Sequence, residues 1–263
     1  MLSKVYLDIN NLVLRREKRA ILLPKLNLAE TISKHTSITA TTTTLKSYVK
    51  MVYDQGQLGS CTATAFCAAF NIQNAIKKKY IGFFPSALFF YYKERVIEKS
   101  INIDAGADVI DGEKYVKDYG ICSEQMWPYI ISKFAIKPPS TCDIDAIKHK
   151  INTYMIIPIN SLLLVNIKKF INNNIPVLIA IAVYESFASQ NVANTGIIPI
   201  PNLAKERLLG GHEMCLIGYD DTKNLFIVQN SWGTNWGDKG FCYLPYSYLT
   251  NPQLGIEFTC INL

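Results

Sequence analysis

A cysteine and a histidine offer the clearest reactive pair in this 263-residue chain. Cys61 follows Gly59-Ser60 and opens an alanine-rich stretch with helical spacing, so we expect it in the first turn of a helix. Unpaired backbone amides and the helix dipole favour negative charge there and lower the pKa of a thiol. A thiolate formed beside an imidazolium is a strong nucleophile. Taken alone, Cys61 fits a buried cysteine in a packed helix equally well.

Three histidines are available as a general base. His35 lies in a stretch rich in Ser and Thr, and His149 is flanked by lysines, which is typical of a solvated helix face. His212 follows Gly210-Gly211 at the start of a predicted strand, where the glycines allow a substrate to approach closely. By itself, His212 fits a structural role as well as a catalytic one.

Three separate motifs resemble those of the papain family of cysteine peptidases. Gln55-Gly-Gln-Leu-Gly-Ser-Cys61 is similar to the family's Gln-Gly-x-x-Gly-Ser-Cys signature. Gly210-Gly-His212, followed by an apolar strand and Gly218-Tyr219, resembles its histidine segment. Asn230-Ser-Trp-Gly-Thr-Asn-Trp-Gly237 and the following Gly240-Phe resemble its asparagine segment. The resemblance runs from about residue 50 to the C-terminus.

The resemblance implies a role for each of these residues. Cys61 attacks the peptide carbonyl, and His212 holds the thiol proton and returns it to the leaving amine. Asn230 orients the imidazole through its side-chain oxygen. The side-chain amide of Gln55 and the backbone N–H of Cys61 form the oxyanion hole. Trp232 shields the His–Asn hydrogen bond from water. The resemblance implies no metal and no cofactor.

Three positions depart from the family pattern. Leu58 stands where the family usually has a disulfide-bonded cysteine, Thr62 where it has Trp, and Gly211 where it often has Asp. None of these changes removes a catalytic atom. The Thr62 change leaves the subsites beyond the scissile bond undefined.

Composition indicates which cellular compartment and which classes of partner to expect. Seven irregularly spaced cysteines without a Cys-x-x-Cys pair favour free thiols in a reducing compartment over a zinc site. The net charge of +6 is scattered, so we expect no nucleic-acid partner. No apolar run reaches membrane-spanning length, and the N-terminus has no signal-peptide pattern, so we expect no membrane partner. We therefore expect a cytoplasmic or similar reducing location, or a virion if the composition rich in Ile, Asn and Lys reflects a large virus.

The elements that must position the reactive residues change along the chain. Helical patterns dominate the first half and strand patterns the second, which indicates an α+β fold. Together with the family resemblance, this implies a papain-like two-lobed fold: a helical lobe over about 46–130, a β-barrel-like lobe over about 131–260, and a cleft between them. We predict four helices: one that begins after Ser60, one that begins after Pro85-Ser86, one from Asp108 to Tyr119 and one from Ser161 to Asn172. The predicted strands are Val177–Val183, Glu213–Tyr219, Leu225–Gln229 and Gly240–Leu244.

Residues 1–45 read as an N-terminal extension, and residues 46–263 as the peptidase domain. The extension contains a basic cluster at Arg15–Arg19 and a Ser/Thr-rich stretch from Thr31 to Thr44. We interpret it either as a short prosegment that occupies the cleft in cis, with the basic cluster as a processing site, or as a flexible tail or a contact to a partner.

The resemblance implies a cysteine-type endopeptidase that acts on protein or peptide substrates through an acyl-enzyme intermediate and is made as a latent precursor. Two alternatives stay open. One is a catalytically silent binding module on the same fold, although such a module has no reason to keep Gln55, Cys61, His212 and Asn230 together. The other is an exopeptidase or transferase on that fold, which a C-terminus reaching into the cleft would favour.

Overall fold

The computed structural model describes residues 40–263. His35, Arg15–Arg19 and the predicted role of the first 39 residues lie outside the described part. Within it, the α-helices are α1 (Cys61–Lys77), α2 (Ala87–Glu98), α3 (Val109–Tyr119), α4 (Ser140–Ala146), α5 (Leu163–Asn172), α6 (Gln190–Thr195) and α7 (Tyr246–Thr250). Short 3₁₀ turns occupy Lys46–Tyr48 and Ile131–Lys133. In the described residues, no helix is long and apolar enough to cross a bilayer.

Helix α1 is the central helix of the molecule, and every residue from Cys61 to Asn74 is buried. Alanine and cysteine side chains along it let neighbouring elements approach, and it packs against strand β4. Lys77 in the last turn suits the negative end of the helix dipole. Ser60 occupies the predicted N-cap position, but its hydroxyl does not cap the helix. That hydroxyl bonds the Tyr129 hydroxyl instead, because both side chains are turned toward the loop that carries Gln55.

Helices α2 and α3 pack beside α1 and begin where the sequence predicts. The Ser86 hydroxyl accepts a hydrogen bond from the backbone N–H of Phe89, and the Asp108 carboxylate accepts one from Ile110. A Cβ at Gly112 of α3 would collide with the ring of Phe90, so glycine allows the close approach of α3 to α2. These three helices form the helical lobe.

The strands form one antiparallel sheet in the order β2-β7-β3-β4-β5-β6, with a short β1 paired to β4. Their bounds are β1 (Thr42–Thr44), β2 (Thr153–Ile156), β3 (Val177–Tyr184), β4 (Leu208–Asp220), β5 (Leu225–Gln229), β6 (Phe241–Pro245) and β7 (Gly255–Asn262). The α+β class is confirmed. The barrel-like description is wrong in one respect: the sheet is not closed, because β2 and β6 lie at opposite ends of its order.

Strand β3 lies in the middle of the sheet, and its residues from Val177 to Val183 are all buried. A continuous apolar strand of this kind needs cover on both faces. Strand β1, at Thr42–Thr44, lies within the predicted extension of residues 1–45 and pairs with Gly218–Asp220 of β4. The sheet therefore includes residues N-terminal to the predicted domain start at residue 46.

Candidate active site

Cys61 is the first residue of α1, and its side chain has no exposed surface. The backbone of Glu213 is one of the groups near the Cys61 sulfur, where it acts to lower the pKa of the thiol. Glu213 follows His212 directly in β4, which is the strand that α1 packs against. The start of the helix is thus brought to the part of the sheet that carries the histidine.

The expected lowering of the Cys61 pKa is wrong for this arrangement. Burial raises the pKa of the thiol, and the carboxylates of Glu213 and Glu94 raise it further, while backbone hydrogen bonds from Glu213 and Thr62 act in the opposite direction. A helix terminus contributes about 0.3–2 kcal/mol. Removing a thiolate from water outweighs that contribution, because burial disfavours the charged form.

His212 and Asn230 form a direct hydrogen bond, with 2.7 Å between Nε2 of the ring and Oδ1 of the amide. His212 is fully buried and Asn230 nearly so. The same Oδ1 accepts a bond of 2.8 Å from the backbone N–H of Ser231, which fixes the amide orientation. Because a carbonyl oxygen accepts only, the ring donates from Nε2 in this hydrogen bond.

An aromatic cluster surrounds this histidine. The Trp232 ring stacks on the His212 ring with centroids 4.9 Å apart and an interplanar angle of 30°. Phe187 meets Trp232 edge-on at 5.6 Å, and Trp236 does so at 5.1 Å. These rings separate the His212–Asn230 bond from water. Trp232 was predicted from the family resemblance, whereas Phe187, in the turn after β3, was not singled out and carries no local sequence signal.

Gln55 is fully buried in the loop that leads into α1. Its Oε1 accepts a bond of 2.6 Å from the Ser231 hydroxyl, and its Nε2 donates to the Leu58 carbonyl at 2.9 Å. Its backbone N–H donates to the Ser231 carbonyl at 2.9 Å. One Nε2 hydrogen is left to donate elsewhere, since an amide nitrogen carries two. Ser231, which the sequence analysis did not select, joins the Gln55 loop to the asparagine segment.

The three departures from the family pattern all lie close to this site. The Thr62 hydroxyl donates to Glu94 at 2.9 Å and is buried inside the helical lobe. Leu58 is buried beside Gln55, and Gly211 pairs with Ala182 of β3. Thr62 therefore makes an internal contact with α2.

His149 does not lie on a solvated helix face. It follows α4 in a bend, and its half-buried ring stacks on Phe83 with centroids 3.8 Å apart. Burial lowers its pKa. The lysines on either side suggested exposure, but the aromatic partners lie far away in the sequence, so a local pattern does not reveal them.

All seven cysteines are free and buried. Among residues 40–263, no group of three or more His, Cys, Asp and Glu side chains could hold a metal ion. The described thiols outside Cys61 act as small apolar side chains in the core.

The sequence is similar to those of known cysteine proteases. The family model described as papain family cysteine protease matches residues 37–258. A peptidase C1-like protein of Acanthamoeba polyphaga mimivirus is 37% identical over 214 residues, covering 80% of this chain and 68% of that protein. Cysteine proteinase 2 of Entamoeba histolytica is 28% identical, covering 73% of this chain and 59% of its own length.

Solved structures show the same fold. Xylellain, a cysteine protease from Xylella fastidiosa, superposes with a TM-score of 0.79 and 32% identity, covering 91% of this chain and 90% of that chain. Digestive procathepsin L 3 of Tenebrio molitor superposes with a TM-score of 0.69 and 20% identity, covering 88% and 73%.

Proposed function

The chain belongs to the papain family of cysteine proteases, and on that premise we propose that it hydrolyses peptide bonds through Cys61 and His212. Because the chain belongs to this family, it is a hydrolase of the cysteine protease class. The observation that carries the residue assignment is the 2.7 Å bond between His212 and Asn230, since His212 lies on the strand that packs against the helix begun by Cys61.

In the proposed mechanism the thiol proton passes to Nδ1 of His212, and the Cys61 sulfur attacks the peptide carbonyl. The second Nε2 hydrogen of Gln55 and the backbone N–H of Cys61 stabilise the resulting oxyanion. His212 then gives its proton to the leaving amine, and a water molecule hydrolyses the acyl-enzyme. Asn230 keeps the ring in the required orientation and stabilises its protonated form, because Oδ1 accepts from Nε2–H.

We propose endopeptidase activity on protein or peptide substrates. Leu263 lies at the far end of α1, where its backbone N–H donates to Gln73 at 3.2 Å and its carbonyl accepts from Lys77 at 2.8 Å. Twelve residues of helix at 1.5 Å each separate Gln73 from Cys61, which is about 18 Å. Leu263 therefore lies outside the cleft. The exopeptidase alternative would instead favour a C-terminal segment that reaches into the cleft.

We also propose that the protein is made latent, with part of residues 1–45 occupying the cleft in cis. Burial of Cys61 and His212 supports this, since a substrate carbonyl cannot reach an atom without exposed surface. The raised pKa of the thiol supports it too, because the neutral thiol is the weaker nucleophile. The blocking part must precede Thr42–Thr44, which belongs to the sheet. Seven free thiols support a reducing location, in the cytoplasm or within a virion.

Covalent labelling tests the proposal. The full chain is incubated with an epoxysuccinyl peptide, and the adduct is mapped by mass spectrometry. We expect a single adduct on Cys61, faster in a variant that lacks residues 1–39, and none in Cys61→Ala. Cys67→Ala removes a buried thiol six residues along the same helix, and this variant should be labelled normally. Absence of label in every form would favour the silent binding module, and peptides blocked at either end would separate endopeptidase from exopeptidase activity.

A further inference from the structure

The loop that leads into α1 is held by an acidic residue that has no part in the mechanism proposed above. This residue is Asp104, in the segment between α2 and α3. Both oxygens of its carboxylate accept from the backbone N–H of Gly59, at 2.9 Å and 3.2 Å. Gly59 stands two residues before Cys61, so the contact joins the helical lobe to the start of the candidate active site.

The N–H that bonds Asp104 belongs to the same peptide group as the carbonyl that bonds Gln55. The Leu58 carbonyl accepts from Nε2 of Gln55 at 2.9 Å, and the adjoining N–H is that of Gly59. A peptide group is planar, and in its trans form the C=O and the N–H point in opposite directions. The direction that Asp104 gives to the N–H therefore also sets the direction of the carbonyl.

This peptide group determines where the second hydrogen of the Gln55 amide points. Both hydrogens on Nε2 lie in the plane of the side-chain amide, so directing one of them to the Leu58 carbonyl fixes the direction of the other. The Ser231 hydroxyl holds the oxygen of the same amide at 2.6 Å. In the proposed mechanism the second hydrogen stabilises the oxyanion, and such a donor is effective only when it is aimed at the position that the oxyanion will occupy.

Asp104 is itself held in place by two buried side chains of α2. The Tyr91 hydroxyl donates to Oδ1 of Asp104 at 2.6 Å. The guanidinium of Arg95 lies 4.0 Å from the centre of the Tyr91 ring and donates to the Ile101 carbonyl at 2.7 Å. Tyr91 and Arg95 have no exposed surface. Since Ile101 is three residues before Asp104, Arg95 fixes the segment that carries the carboxylate.

The family comparison indicates why this loop needs such a contact. Leu58 stands where the family usually has a disulfide-bonded cysteine, and all seven cysteines of this chain are free. The contact between Asp104 and Gly59 holds the neighbouring residue without a covalent bond. A carboxylate acceptor makes a stronger hydrogen bond than a neutral one, and unlike a disulfide it is not broken by a thiol reductant.

Resting on the proposed function, we propose that Asp104 is a positioning residue for peptide hydrolysis. It orients the peptide group between Leu58 and Gly59, and through that group it aims the oxyanion donor of Gln55. In this role Asp104 acts through the backbone of the loop and does not contact the substrate.

Peptide hydrolysis and alkylation of Cys61 together test this role. Iodoacetamide forms an S–C bond with the Cys61 sulfur and releases iodide without forming an oxyanion, so the alkylation rate reports the nucleophile alone. Each variant is made in the full chain and in the form that lacks residues 1–39, and kcat, KM, the alkylation rate and the melting temperature are measured. We expect Asp104→Ala to lower kcat about tenfold, because a small displacement of a positioned group slows the reaction. KM and the alkylation rate should stay close to those of the unsubstituted protein.

Three further variants separate positioning from a structural role. Asp104→Asn should lose less activity than Asp104→Ala, because its amide oxygen can still accept from the Gly59 N–H. In a protein that already carries Gln55→Ala, Asp104→Ala should lower kcat little further, because no side-chain donor is left to orient. Asp118→Ala, at an exposed position of α3, is the matched control and should leave kcat unchanged.

A kcat of Asp104→Ala equal to that of the control would overturn the role, as would a tenfold loss that persists in the Gln55→Ala protein. A parallel fall in the alkylation rate would also overturn it, because Asp104 would then support the fold in general. If the unsubstituted protein, with and without residues 1–39, neither hydrolyses a peptide nor takes a label on Cys61, the proposed function fails and the positioning role fails with it.

Discussion

The bond between His212 and Asn230 makes the sharpest prediction, since both partners are buried and the distance is 2.7 Å. Asn230→Ala leaves the ring N–H facing a space without an acceptor. A hydrogen bond to a charged group contributes about 1.5–3 kcal/mol. Each 1.36 kcal/mol changes a rate tenfold, so kcat/KM should fall by about 10- to 150-fold.

Asn230→Asp tests the same hydrogen bond with the acceptor oxygen kept and the charge changed. The Nδ2 of Asn230 has no hydrogen-bond partner among residues 40–263, so the acid loses no donor contact while it keeps the acceptor for His212. It should retain more activity than Asn230→Ala at neutral pH. A carboxylate also favours the imidazolium, so the falling limb of the pH profile of kcat/KM should move to higher pH in Asn230→Asp and to lower pH in Asn230→Ala.

The assay is steady-state hydrolysis of a fluorogenic peptide across pH, with circular dichroism to establish that each variant is folded. Asn191→Ala, at an exposed position of α6, is the matched control and should behave as the unsubstituted protein does. Asn230→Ala within twofold of the control, with an unshifted pH profile, would show that the bond orients no catalytic group.

Other substitutions test the remaining parts of the site. Gln55→Ala should lower kcat by about 100-fold, because loss of one oxyanion donor costs about 3 kcal/mol, whereas Gln57→Ala in the same loop should change kcat little; equal values would remove Gln55 from the mechanism. Trp232→Ala should lower kcat/KM about tenfold by admitting water to the His212–Asn230 bond, and Trp232→Phe should lower it less; the reverse order would contradict shielding. Burial raises the pKa of Glu213 above 4.5, so the stability that its protonated form contributes is present below that pH and is lost as pH rises. Glu213→Gln should therefore raise the melting temperature at pH 8, by about 2–4 °C per kcal/mol, and change it little at pH 4; a lower melting temperature at pH 8 would refute this sign.

The sequence predicted those elements whose signals are local. Strand β5 runs from Leu225 to Gln229 as expected, and β3 exceeds its predicted range by one residue. Helices α2 and α3 begin at side chains that cap them. Strand β7 was missed, because Glu257 and Thr259 interrupt its apolar pattern although both are buried. Thr259 bonds Glu113 of α3, whose position no local pattern gives.

In the candidate site, too, the sequence predicted what neighbouring residues encode and missed what distant segments contribute. Motifs identified Gln55, His212 and Asn230 from neighbouring residues, and the structure brings the last two into contact. The direction of the Cys61 pKa was predicted wrongly, because the helix terminus is a local feature whereas burial and the Glu213 and Glu94 carboxylates arise from distant segments. Ser231 and Phe187 likewise act through contacts that only the folded chain creates.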